Sequence, residues 1–338
     1  MKSRSLKSSM LVIIAVVMMF AVSAFTLTGC SRADYTVGIN QFLEHPALDQ
    51  SRIGFMERLD ELMAGVGKTV RYVEQNASAD RTTATTISNT FIAQRVDLIF
   101  ALGTPSAQTA RDAAMDSKTP VVYGAITAPE ASTTGLTGHD HVTGTSDRLN
   151  MTSQVELIKE LLGGTVSNIA YIYTASEDNS VGQGIALETA AAAMGVAVDR
   201  RSITEIGDLQ AVMTVINNSD AQAIYIGTDN LIAGNMQLLA NINQDGARLP
   251  IVTGAATMAA QGGVAAQGVN YTDIGRYAAN KAFKILHEGV VPGTIPPMYF
   301  DEDPTLLDLL VNRKIAADIG FTIPQAMIDR ASTIIPVS

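Results

Sequence analysis

The chain has 338 residues, of which 47% are hydrophobic and 5% are aromatic. This length and this share of apolar residues suit two domains with cores of their own and exclude intrinsic disorder. The formal net charge of −10 at pH 7 argues against nucleic acid and anionic lipid surfaces as partners.

Residues 1–29 are predicted to form a signal peptide. Lys2, Arg4 and Lys7 precede an apolar run over residues 10–25, and a small-residue cleavage site follows. Cys30 comes directly after Leu-Thr-Gly, as in the lipobox of bacterial lipoproteins. We therefore expect an extracytoplasmic protein of the cell envelope, held at the membrane only by a lipid on Cys30. The alternative is a retained transmembrane anchor, since the apolar run could just span a bilayer.

From residue 35 onward the sequence alternates between strand and helix patterns. Strands are predicted at 35–39, 70–74, 96–102, 120–124, 169–173, 196–203, 223–227 and 250–254. Helices are predicted at 51–65, 81–95, from 104 onward, and at 151–162, 181–194, 209–217, 231–244 and 274–287. This alternation predicts parallel sheets with helices on both faces.

Two stretches of the chain echo each other. DLIFALGTPSAQ is followed by TPVVYG, and AIYIGTDNLIAG is followed by LPIVTG; each is a buried strand, a polar turn and a helix start. We therefore expect two lobes of like topology. Residues 132–145 are predicted to be a loop that leads to a crossing between the lobes, and the proline-rich stretch 289–297 to be another connector. Thr104 is expected to cap the helix that follows Gly103.

Ligands of open α/β sheets bind at the carboxyl ends of the strands. Short polar side chains occupy these ends, and two more, Ser146 and Asp147, lie just past the first predicted crossing. We expect this set to bind a small polar molecule: Asn40, Gln41, Thr104, Ser106, Thr127, Ser146, Asp147, Asn179, Ser180, Thr228, Asp229 and Asn230. Asp147 and Asp229 could hold an ammonium group, or each could simply cap the helix after it. His45, before Pro46, is expected at a helix entrance near this site.

The sequence contains no pattern typical of an enzyme or a cofactor site. It has no G-x-S-x-G elbow, P-loop or dinucleotide fingerprint after the first strand. His139-Asp140-His141 could be a metal site, but it lies in a predicted loop without a distant partner, and a solvated surface is the favoured interpretation. We therefore expect no catalysis, no cofactor and no metal.

The chain resembles the substrate-binding lipoproteins of ABC importers, in the group associated with tryptophan, tyrosine and phenylalanine uptake. The matching stretches are 39–49 (INQFLEHPALD), 104–108 (TPSAQ), 142–147 (VTGTSD), 176–180 (SEDNS), 228–230 (TDN), 310–312 (LVN) and 316–324 (AADIGFTIP). The resemblance implies a type I periplasmic-binding-protein fold, in which two Rossmann-like lobes with parallel sheets close about a three-segment hinge. Lobe 1 would comprise 34–144 and 269–291, and lobe 2 would comprise 146–267 and 298–338.

The same resemblance implies that the twelve polar residues line the cleft and that a monomer delivers its solute to an ABC permease driven by a separate ATPase. Two departures from the family pattern concern the ligand. Ala128 and Ala256 stand where similar proteins often carry an acid and Ser-Asp, so a possible ammonium partner is lost at each. The expected ligand is a small amino-acid-like solute, with or without an aromatic side chain. The alternatives are a nucleoside or sugar, a sensing receptor without transport, and an exported hydrolase or isomerase.

Overall fold

The computed structural model describes residues 33–337, so the predicted signal peptide and Cys30 lie outside the described residues. The strands are β1 (Tyr35–Gln41), β2 (Val70–Asn76), β3 (Leu98–Leu102), β4 (Val121–Gly124), β5 (Val142–Ser146), β6 (Asn168–Thr174), β7 (Ala197–Ile203), β8 (Ala223–Ile226), β9 (Ile251–Thr253), β10 (Ala265–Val269), β11 (Met298–Tyr299), β12 (Leu307–Asn312) and β13 (Thr333–Ile335).

The helices are α1 (Pro46–Gly65), α2 (Arg81–Gln94), α3 (Thr104–Ala113), α4 (Met151–Leu161), α5 (Asp178–Ala193), α6 (Leu209–Asn217), α7 (Asn230–Ala233), α8 (Met236–Asp245), α9 (Ala256–Gln261), α10 (Tyr271–Leu286), α11 (Arg313–Asp318) and α12 (Gln325–Arg330). Between residues 33 and 337, no helix combines the length and the apolar character that crossing a membrane requires.

The strands form two sheets, as predicted. The first has the order β11-β5-β4-β3-β1-β2, and all its neighbours are parallel. The second has the order β13-β12-β10-β9-β8-β6-β7, and only β10 and β12 are antiparallel. We call the first sheet with α1, α2, α3 and α10 the first lobe, and the second sheet with the other helices the second lobe. The predicted α/β class with two lobes is confirmed.

The chain passes between the lobes three times: after β5, between β10 and α10, and between β11 and β12. These crossings lie at residues 147–150, at Asn270 and at 300–306. Residues 298–299, which the sequence assigned to the second lobe, pair with Thr145 and Ser146 of β5 and so belong to the first sheet.

The predicted loop at 132–145 is wrong at its end, where β5 forms. This strand has no apolar alternation, yet all five of its residues are buried. The buried hydroxyls are satisfied by backbone carbonyls, since Thr143 donates to Ile295 and Thr145 lies within hydrogen-bond distance of the carbonyls of Tyr123 and Ile274. Polar side chains that find such partners can be buried without a large penalty, which hides the strand from a pattern of hydrophobicity.

Three further elements differ from the expectations. The helix expected at 231–244 is interrupted at Gly234 and Asn235 and forms α7 and α8. No helix or strand was predicted for the alanine- and glycine-rich segment after Gly254, which contains α9 and β10. The N-cap residue of α3 is Gly103 rather than Thr104. Gly103 has a φ of 85°, at which a residue with a side chain would be strained.

Helix α10 packs on α1 through two glycines. A Cβ on Gly275 would overlap the carbonyl oxygen of Ser51, and a Cβ on Gly54 would overlap the carbonyl oxygen of Thr272. The backbones of the two helices therefore touch, and this contact fixes the start of α10 beside the second crossing.

We expect Gly275→Ala to lower the free energy of unfolding by about 1 to 3 kcal/mol, because the added methyl forces the helices apart. The control is Gly182→Ala in α5, where a Cβ would meet nothing within 4 Å; it should stabilise the protein by about 0.5 to 1 kcal/mol. Urea unfolding of both variants measures the difference, and equal effects would contradict the close helix contact.

Candidate ligand-binding site

The carboxyl ends of the two sheets face each other, and their turns are in contact. The hydroxyl oxygens of Thr127 in the first lobe and Thr228 in the second lie 2.6 Å apart. His45, which occupies the N-cap position of α1, contacts the Asn230 side chain at 3.3 Å. The lobes are therefore closed on each other in this structure.

Between these contacts lies a cavity of about 10 Å³, close to the size of one water molecule. Its walls are formed by residues of both lobes: His45, Ala47, Leu48, Ala125, Asp147, Thr228, Asp229, Asn230, Ala233, Ala255, Met258 and Tyr271. Four of the twelve predicted site residues are among them, namely Asp147, Thr228, Asp229 and Asn230. No lysine or arginine lines it.

Asp147 lies at the first crossing, and its carboxylate is buried in the closed cleft. Its Oδ2 accepts a hydrogen bond from the Tyr271 hydroxyl at 2.8 Å, and its Oδ1 accepts one from the Thr127 hydroxyl at 3.0 Å. Since a carboxylate offers about four acceptor positions, Asp147 can still accept from a ligand. Burial raises the pKa of Asp147 to about 6.

Asp229 has used its acceptor capacity inside the second lobe. It caps α7 by accepting from the backbone N–H of Ile232, and it also accepts from the backbone N–H and hydroxyl of Thr174 and from the hydroxyl of Ser180. The capping role that the sequence left open for this residue is therefore present. Burial raises its pKa above the ordinary value.

A second buried acid, Glu177, was not predicted as a site residue. It accepts from the backbone N–H groups of Asn230 and Leu231 and from the side-chain amides of Asn179 and Asn230. Burial, and then the charge of Asp229, raise the pKa of Glu177. Glu177 fixes the turn that contacts His45, and only the folded chain brings these donors to it.

The remaining predicted residues are buried near the strand ends but do not line the cavity. The Asn40 amide joins β1 to α2 and α3 by donating to the Ala84 carbonyl and to Ser88 and by accepting from Ser106. The other contacts are also internal. Gln41 donates to Asp49 at 2.7 Å, Ser146 donates to the Thr127 carbonyl at 3.3 Å, Asn179 donates to the Thr228 carbonyl at 2.8 Å, and Thr104 is 2% exposed.

His45, Leu48, Met258 and Tyr271 line the cavity although they were not predicted as site residues. The expectation that His45 lies at a helix entrance near the cleft is confirmed, and the His-Pro pair was its signal. The other three side chains carry no signal that separates them from core residues.

The residues considered for metal binding and for ligand specificity do not line the cavity. His139 and His141 face the backbone carbonyls of Gly135 and Arg111 at 3.1 Å, and the described residues contain no group of three metal-binding side chains. Ala256 lines a separate groove of about 220 Å³, and neither Ala256 nor Ala128 lines the closed cavity.

A cavity enclosed by two α/β lobes and lined by polar and apolar side chains, with three chain crossings between the lobes, is the architecture of a solute-binding protein that closes on its ligand by a hinge motion. The sequence matches the family of ABC transporter substrate-binding proteins over residues 36–335. The chain belongs to this family, whose members bind solutes and work outside the cytoplasm.

A tyrosine-binding protein of Clostridioides difficile is 30% identical over 319 residues, which cover 86% of this chain and 90% of that protein. A structure from Streptococcus pneumoniae in complex with L-tryptophan is 29% identical, covers 90% of this chain and 100% of its own, and superimposes with a TM-score of 0.80. A leucine-binding protein of Thermotoga maritima, 15% identical over 84% of this chain and 87% of its own with a TM-score of 0.61, shares the type I periplasmic-binding-protein fold.

A ligand-free, open substrate-binding protein from Clostridium difficile is also 29% identical and covers 90% of this chain and 100% of its own. Its TM-score is only 0.65, against 0.80 for the tryptophan complex. At equal identity and coverage, the lower score agrees with the closed arrangement of the lobes described above.

The two acids should respond differently to replacement by asparagine. Asp229→Asn should lower the free energy of unfolding by about 2 to 4 kcal/mol, because each carboxylate oxygen accepts from a backbone N–H that cannot turn away from the new amide NH₂. Asp147→Asn should be neutral or stabilising, because its partners are hydroxyls that can rotate.

The pH dependence separates the two variants further. A carboxyl group whose pKa is raised on folding stabilises the protein fully below its ordinary pKa, and this contribution is lost as the pH rises through about 6 for Asp147. Relative to wild type, Asp147→Asn should therefore gain about 1 to 3 kcal/mol between pH 4 and pH 8. Unfolding at both pH values measures this gain, and a loss of stability at pH 8 would contradict it.

Proposed function

We propose that this substrate-binding protein takes up an amino acid between its lobes and delivers it, as a monomer, to an ABC permease driven by a separate ATPase. The lobes would move about the three crossings, with residues 35–146 and 271–299 in the first lobe and residues 151–269 and 307–337 in the second. The observation that carries the choice of ligand is the Asp147 carboxylate in the closed cavity.

Closing the lobes removes Asp147 from water without giving it a positive side chain. Its two protein partners are hydroxyls, and the cavity wall holds neither lysine nor arginine. A buried charge without a counter-ion is costly, so a cationic group on the ligand would favour closure strongly. The ammonium group of an amino acid is such a group, and the related proteins named above are described with tyrosine and with L-tryptophan.

Asp147, rather than Asp229, is the expected partner of this ammonium. Four donors of other residues or backbone groups already reach Asp229, whereas two donors of other residues reach Asp147. The lack of acids at Ala128 and Ala256 does not remove Asp147, so an amino acid remains the favoured solute. Because the closed cavity has the volume of about one water molecule, a whole amino acid does not fit it. The lobes must therefore stand further apart than in this structure both when the solute enters and when it is bound.

The cell-envelope location and the anchor belong to the same proposal. The Leu-Thr-Gly-Cys sequence at residues 27–30 supports export and attachment of a lipid to Cys30. The acidic chain then stays outside the cytoplasm close to the permease, without lying on an anionic lipid surface.

We expect L-tyrosine or L-tryptophan to bind the wild type, and Asp147→Asn to weaken that binding about 100-fold, because the ammonium then loses its buried counter-charge. Isothermal titration calorimetry measures both affinities. The control is Asp112→Asn, which removes the same charge from an exposed position on α3 and should leave the affinity unchanged.

Equal affinities of the wild type and Asp147→Asn would refute the assignment of Asp147. If amino acids leave the wild type unbound while a nucleoside or a sugar binds, the proposed class of solute is wrong.

Expression in a bacterium that processes lipoproteins tests the anchor. The protein should partition into the membrane and gain the mass of a diacylglyceryl group on Cys30, and Cys30→Ala should lose both properties. Mass spectrometry of the membrane fraction checks this, and an unprocessed N-terminus in the wild type would favour the transmembrane alternative instead.

A further inference from the structure

Resting on the proposed function, we propose that His45 is the second half of the ammonium site. Its Nδ1 accepts a hydrogen bond from the ligand's ammonium group while Asp147 supplies the opposite charge. His45 would thereby make the site specific for solutes with an amino group.

The first observation is an unpartnered atom. His45 lines the closed cavity and is only 6% exposed. Its Nε2 contacts Asn230, but its buried Nδ1 has no hydrogen-bond partner among the described residues. A buried polar atom without a partner is rare, and one on a residue that lines a cavity points to a ligand group or a water there.

The hydrogen bonds of Asn230 decide which nitrogen of His45 carries the proton. Glu177 accepts from the backbone N–H of Asn230 and from its side-chain Nδ2, so the amide directs its Oδ1 towards His45. Nε2 must therefore donate to this oxygen. Burial lowers the pKa of His45 to about 4, so the ring is neutral at pH 7 and Nδ1 is a bare acceptor.

The size and the other polar groups of the cavity favour an ammonium as the donor. Asp147 and His45 border the same space of about 10 Å³, which suits a group as small as one water or one ammonium. An ammonium has three N–H donors and a positive charge, so it can satisfy the carboxylate and the imidazole nitrogen together. A neutral hydroxyl has one donor and would leave one of the two acceptors unpaired.

Two variants separate the two nitrogens of the ring. In His45→Gln, the amide nitrogen can reach the position of Nε2 and keep the contact with Asn230, but nothing replaces Nδ1. In His45→Asn, the shorter side chain can place its oxygen near the position of Nδ1 and loses the contact with Asn230. A cooperative unfolding transition, measured for each variant without ligand, shows that the variant is folded.

The probes are L-tyrosine and its des-amino analogue, measured by titration or by competition. We expect His45→Gln to weaken L-tyrosine about 10-fold and to leave the analogue unchanged, since the analogue has no ammonium to donate. His45→Asn should keep most of the affinity for L-tyrosine. In the Asp147→Asn background, His45→Gln should cost less than in the wild type, because the two acceptors share one group.

Equal weakening of both probes by His45→Gln would show that His45 only supports the fold, and no weakening of either would show that Nδ1 faces water; each result overturns the inference. Failure of the wild type to bind any amino acid would instead be a failure of the proposed function.

Discussion

The closed arrangement of the lobes buries the Asp147 carboxylate without a counter-ion, and its stability depends on how this charge is balanced. This acid stands at the first crossing, accepts from Tyr271 at the start of α10 and, through Thr127, joins a line of hydroxyls that reaches Thr228 in the other lobe. The carboxylate thus links two crossings and both lobes. Since its charge is costly in this position, closure is coupled to a proton or to a cationic group of the solute.

The residue after Asp147 ties the first crossing to the third. Arg148 pairs with Asp301 at 2.8 Å and with Glu130 at 3.1 Å, and its guanidinium lies 4.3 Å from the ring centre of Tyr299. The inward acid and the outward arginine therefore hold three chain segments together from neighbouring positions. The parallel register of the first sheet brings the turns together at this point. Gln41 of β1 pairs with Leu102 of β3, and Leu102 pairs with Gly124 of β4.

Much of the fold could be predicted from the sequence, because buried parallel strands such as β3 are continuous apolar runs and α6 has clear helical spacing. The strand β5 could not, since the partners of its hydroxyls lie elsewhere in the chain. The same reason limited the site. The sequence placed Asp229 at a strand end and Asp147 just past a crossing, but the number of donors around each acid exists only in the folded chain. Tyr271 reaches Asp147 from 124 residues away, a separation at which local patterns give no signal.

The number of protons released when the solute binds is the most direct test of the role of the buried carboxylate. Calorimetric titration of L-tyrosine in buffers of different ionisation enthalpy counts the protons released on binding. With a pKa of about 6 for Asp147 buried in the closed cleft, binding of an ammonium group should release about half a proton at pH 6 and almost none at pH 8. Asp147→Asn should abolish the release. Binding without proton release at pH 6, or release that persists in the variant, would contradict a central role for the buried carboxylate.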